Sequence, residues 1–130
     1  MFANGYASEF DLITADNATA TGTSAVDSTG VDCTGYDSVR FVVVIGTAAA
    51  NNTAKLQESA DNSAWADVTS GAVTNSGTQK VLILDRFRPA KKFVRVEVAR
   101  GTSTTVDAIV AQRYRARTEP TTQTGALVQA

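Results

Sequence analysis

The chain has no histidine and a single cysteine, Cys33, in 130 residues. One cysteine closes no intramolecular disulfide, and without histidine the usual nitrogen and sulfur cage for zinc cannot be assembled. The commonest general base is missing too, which excludes a Ser-His-Asp triad and leaves carboxylates for acid–base work. Long apolar runs are equally scarce. The longest, Phe41-Val42-Val43-Val44-Ile45, falls far short of the about 20 residues that a membrane-spanning helix needs. No GxxxxGK[ST] or GxGxxG loop occurs, nor the alternating acidic pattern of a calcium loop. Charge of either sign is not in excess: 12 Lys and Arg stand against 13 Asp and Glu, a formal net charge of -1. No bulk field therefore draws the chain to nucleic acid or an anionic membrane. The first residues, Met1 to Ser8, show neither a basic start nor an apolar signal core. These absences lead us to expect a soluble, non-enzymatic protein without cofactor or metal. Asp61, Asp67, Asp85 and Asp107 read as turn or strand-end residues rather than a catalytic carboxylate pair, and Cys33 as a small buried hydrophobe.

What is present is alternation. In Phe93-Val94-Arg95-Val96-Glu97-Val98 the valines point one way and Arg95 and Glu97 the other, as in a half-buried strand. Similar patterns run through Phe10 to Thr14, Lys55 to Ser59, Gln79 to Asp85 and Thr105 to Gln112, with a weaker one near Ser24-Ala25-Val26. Val39 to Ile45 is apolar on both faces and β-branched, which predicts a central strand covered on each side. Turn-forming clusters separate these segments: Asp27 to Gly30, Ala60 to Ser63, Ser70-Gly71 with Asn75-Ser76-Gly77, and Arg100 to Ser103. Seven or eight short strands joined this way predict an all-β protein, an antiparallel β-sandwich of jelly-roll type with extended terminal arms. One domain is expected over residues 1–117, followed by an extended tail over 118–130. The stretch from Asn17 to Ser24 and the tail from Thr118 to Gly125 hold too little apolar area to order alone, and should order only against a partner.

Three features are candidates for recognition. The segment from Lys55 to Val68 predicts a β-hairpin carrying the only tryptophan, Trp65, which is either a stacking platform for a sugar or base or a structural ring against the sheet. Arg113, Arg115 and Arg117 would line one face of an extended strand, suited to bidentate pairing with the carboxylates of a protein neighbour. Phe2 and Tyr6 at one end, and Leu127 and Val128 at the other, offer apolar contacts for docking.

The hairpin Lys55-Leu56-Gln57-Glu58-Ser59-Ala60-Asp61-Asn62-Ser63-Ala64-Trp65-Ala66-Asp67-Val68, with the strand Lys92-Phe93-Val94-Arg95-Val96, resembles small head proteins of tailed bacteriophages over about residues 36–115. The resemblance implies a decoration or cement protein of the virion, made in the bacterial cytoplasm. It would bind the major capsid protein and sister subunits, with a homotrimer favoured by threefold shell sites. A head-completion, neck or tail component is the structural alternative. The same Ser-x-Asp-x-x-x-Trp turn also resembles galactose-binding, discoidin-like jelly rolls, which implies a carbohydrate-binding module on a virion fibre. The loop aromatics and paired Arg and His groups that hold sugars in that family are missing here.

Overall fold

The computed structural model describes residues 10–16, 18–46, 50–118 and 121–125. Among them there is no helix. Ten strands follow in order: β1 (Phe10–Asp16), β2 (Thr19–Gly22), β3 (Val26–Asp27), β4 (Val31–Asp32), β5 (Tyr36–Ile45), β6 (Asn52–Ser59), β7 (Ala66–Thr74), β8 (Val81–Phe87), β9 (Phe93–Arg100) and β10 (Thr104–Ala116). All pairings are antiparallel. The first sheet runs β1-β10-β5-β8 with β2 also on β10, and the second runs β3-β9-β6-β7 with β4 also on β9. With β3 and β4 counted as one interrupted strand, this is the strand order of a jelly roll, in which most connections cross from one sheet to the other.

Period-two patterning explains the packing. Val39, Phe41, Val43 and Ile45 of β5 and Val94, Val96 and Val98 of β9 are fully buried between the sheets, joined by Val106, Ile109 and Ala111 of β10, Leu82 and Leu84 of β8, and Ala54 and Leu56 of β6. Each buried valine or isoleucine contributes roughly 1.5–3 kcal/mol relative to exposure, so the inward face of each strand fixes its register. Polar ties also span the layers, among them one at the sandwich edge. Arg86 on β8 donates from Nε to Oε1 of Glu58 on β6 at 2.5 Å, and the backbone N–H of Ala90 adds a second bond to the same oxygen at 3.2 Å.

Four expectations change. Val39 to Ile45 does form a central strand, but among the described residues nothing covers its second face, where Val42 and Val44 remain half exposed. Part of the segment read as a loop, Asn17 to Ser24, is strand β2, because Thr19 and Gly22 pair with Val106 and Thr104. Its backbone needs no apolar side chains when β10 supplies the partners. Ser70-Gly71 is not a turn: β7 runs through it, and Ser70 adopts a φ of 59° beside a register shift, forming a bulge. Finally, the described tail residues 121–125 order on their own chain. Thr121 donates its hydroxyl to the Phe10 carbonyl at 2.7 Å, and Thr124 donates both its N–H and its hydroxyl to the Asp11 carboxylate at 2.7 Å.

Candidate functional site

The outer face of the first sheet is unusual for a protein surface. Thr14, Val110, Val42 and Ile83 lie side by side in register, and Ala108, Val44 and Val81 form the next row. Ile83 is 60% exposed, Val81 51% and Leu12 46%. Isolated exposed apolar residues are ordinary, but a contiguous field of valine and isoleucine across neighbouring strands marks an interaction surface. A polar row borders it: Leu12, Gln112, Arg40 and Asp85 are in register. Asp85 is engaged twice, by Arg40 at 3.5 Å and by the Tyr114 hydroxyl at 2.5 Å. Burial, the hydrogen bond to Asp85 and its negative charge hold the Tyr114 hydroxyl above its ordinary pKa.

Beyond that row, at the end of the sandwich, β8 stops at Phe87, which is 51% exposed. The guanidinium carbons of Arg88 and Arg115 lie 5.0 and 5.5 Å from its ring centre. Both arginines have left-handed backbones, with φ of 50° and 55°, a conformation uncommon outside glycine and asparagine. Hydrogen bonds from Arg88 N to Asp37 O and from Arg117 N to Gly35 O, each 2.8 Å, tie both strand ends to the start of β5. Next to them opens a cleft of about 590 Å³ walled by Tyr36, Arg88, Pro89, Lys91, Lys92 and Arg117. Two of its cations are neutralised, Lys92 by Asp32 at 3.7 Å and Arg117 by Asp37 at 3.0 Å.

The predicted arginine stripe does not exist as a unit. Arg113 turns inward, where it pairs with the fully buried Asp11, donates to the Asp32 carbonyl at 3.0 Å and lies 4.7 Å from the Tyr36 ring centre. The positive φ at Arg115 then breaks the alternation, so Arg115 goes to Phe87 and Arg117 to Asp37. Phe2, Tyr6, Leu127 and Val128 lie outside the described residues. The basic segment from Arg86 to Lys92 carries the signal that alternation missed, since four of its seven residues are cationic.

The Trp65 hairpin, the most distinctive motif in the chain, is an internal polar network. Gln57 donates to Asp67 at 2.8 Å and accepts from Arg95 Nε at 2.8 Å, while Lys55 bridges Asp67 and Glu97, each at 3.1 Å. Asp61 closes the turn by accepting from Ser59 and from the N–H groups of Ser63 and Ala64. Those turn bonds hold its carboxyl below the usual value. Trp65 is half buried, with the Arg95 guanidinium 4.6 Å from its ring centre. Gly30 sits so close that a Cβ there would lie 2.9 Å from Cη2 of the ring. Among the described residues, no group of three or more Cys, Asp or Glu is placed to hold a metal ion.

No protein-family model matches the chain, and no curated protein does. Solved structures share its fold. The crystal structure of PBSX exported protein XepA superposes with a TM-score of 0.61 at 17% identity over 92% of this chain. The chain spans 40% of XepA. SPBc2 prophage-derived protein YomS gives a TM-score of 0.52 at 9% identity, covering 81% of this chain and 92% of YomS. At such identities the likeness defines a common β-sandwich architecture.

Proposed function

We propose that this chain is a non-enzymatic structural protein of a tailed bacteriophage that works by docking on other virion proteins, and that its place is the outer capsid surface as a decoration protein. The observation that carries the docking role is the apolar outer face of the first sheet, built on strands whose opposite face is fully packed. A sheet face of this kind is stable in shape but incompletely desolvated, the state of a surface awaiting a partner. The phage assignment draws on the resemblance of the hairpin to head proteins and on the fold shared with XepA and YomS. Binding only the assembled shell, such a protein stabilises it by mass action. Threefold shell sites favour a trimer, with the major capsid protein and sister subunits as partners.

A glycan-binding reading has less to stand on, because the Trp65 ring is half buried and already carries the Arg95 guanidinium 4.6 Å from its centre. The test is co-sedimentation with phage heads that lack the protein, comparing the parent with Ile83→Glu combined with Val81→Glu. We expect the parent to sediment with heads, with a copy number on the scale of shell subunits, and the variant to stay in solution while folding normally. Equal binding by both would remove the sheet face from the interface, and failure of the parent to bind would sink the decoration role.

A further inference from the structure

We infer that the basic cleft beside Phe87 is a receptor for an acidic peptide segment of a partner protein, with Arg88, Lys91 and Arg115 as the recognising cations. The distribution of charge leads there. Seven of the cations have a carboxylate within salt-bridge distance inside the chain, and Arg100 spends its guanidinium on the carbonyls of Ala20, Ser24 and Thr104. Among the described residues, the cations left without an acidic partner are Lys80, Arg88, Lys91 and Arg115. Lys80 lies at the far end of β8; Arg88 and Lys91 line one cleft, and Arg115 shares the Phe87 ring with Arg88 beside it. With Lys92 and Arg117 counted, five cations there face, among the described residues, only the carboxylates of Asp32 and Asp37. A protein of net charge -1 thus gathers three of these four unpaired cations in one place.

The geometry selects the ligand class. Stacked on Phe87, Arg88 and Arg115 lose part of their rotamer freedom before binding, and each presents a planar fork that matches a carboxylate. Single-stranded nucleic acid would also seek cations, but it needs bare aromatic faces on which bases stack. Here Arg113 lies over the Tyr36 ring and two guanidinium groups lie over Phe87. At about 590 Å³ the cleft has room for a few acidic side chains. This site goes beyond the apolar docking face and stands whichever virion protein supplies the segment.

Fluorescence anisotropy on the full chain tests it, with three labelled probes: an oligoglutamate, an oligoglutamine of the same length and an oligothymidylate. We expect oligoglutamate to bind, to weaken steeply with added salt, and to outcompete the other two. Arg88→Glu with Lys91→Glu should weaken that binding by about tenfold or more at an unchanged melting temperature. Lys91→Gln alone, with no intramolecular contact to lose, should weaken it by about threefold and guards against misfolding of the double variant. The Ile83→Glu, Val81→Glu variant should bind the peptide as the parent does, which separates this site from the sheet face. Tighter binding of oligothymidylate, equal binding of oligoglutamine, no binding at low salt, or indifference to both charge changes would each overturn the inference.

Discussion

Asp11→Asn probes the closure of the sandwich end. Asp11 is fully buried, and its carboxylate accepts from Arg113 and from the N–H and hydroxyl of Thr124. Asparagine keeps the shape but removes the charge, leaving the Arg113 guanidinium without its counter-ion. Breaking a buried pair by removing one partner costs about 3–5 kcal/mol. Arg113 retains the Asp32 carbonyl and the Tyr36 ring, and its side chain is 21% exposed, so the low end applies. A loss of about 3 kcal/mol at roughly 3 °C per kcal/mol for a chain of this size lowers Tm by about 10 °C. The pH dependence carries the same signature. Burial alone would raise the Asp11 pKa, but the Thr124 hydrogen bonds and Arg113 outweigh it and hold the carboxyl below its ordinary 3.8. A depressed carboxyl pKa contributes stability that is present above the unfolded value and is lost as pH falls through the folded one. Calorimetric melts of parent and variant should therefore differ most near neutrality and converge as pH drops below about 3.8. A Tm gap that is absent at pH 7, or that persists undiminished in acid, would refute the reasoning.

Ending the chain at Thr118 removes four tail hydrogen bonds to Phe10 and Asp11, from Thr121, Gln123 and, twice, Thr124. At about 1 kcal/mol each, less the entropy regained by the tail, urea titration should show a loss of about 1–2 kcal/mol with folding retained. Burial pushes the Cys33 thiol up to about 12, so iodoacetamide at pH 8 should leave the native protein unmodified and alkylate it in denaturant; fast native labelling would contradict the buried placement. Trp65→Ala removes a half-buried ring stacked by Arg95, so it should destabilise by less than the about 3–5 kcal/mol of a fully buried aromatic. Phe41→Ala, fully buried in β5, should reach that range in the same denaturation assay.

The strands were legible where one face of the chain meets a core and the other meets water, as in Val94, Val96 and Val98 against Arg95 and Glu97. Period two fails where backbone pairing alone makes a strand, so Thr19 to Gly22 passed for a loop. It fails also where a bulge carries a strand through glycine, as at Ser70-Gly71. Val42 and Val44 mislead more usefully. Their pattern is that of a strand covered twice, and the described residues cover it once, which is the observation behind the proposed docking face. The arginine stripe was misread because alternation assumes an unbroken extended backbone, which the left-handed Arg115 interrupts. Cation clustering at the cleft depends on which acids fold back onto which bases, and that information lies in the tertiary pairing rather than in local spacing.

The edges of the two sheets decide how copies of this protein can meet. At the start of β1 the chain's own residues 121–125 lie against the strand, and in β7 the bulge at Ser70 throws the backbone out of register. An interrupted or occupied edge cannot template a further strand. Open-ended ribbons built through either of these two edges are therefore disfavoured.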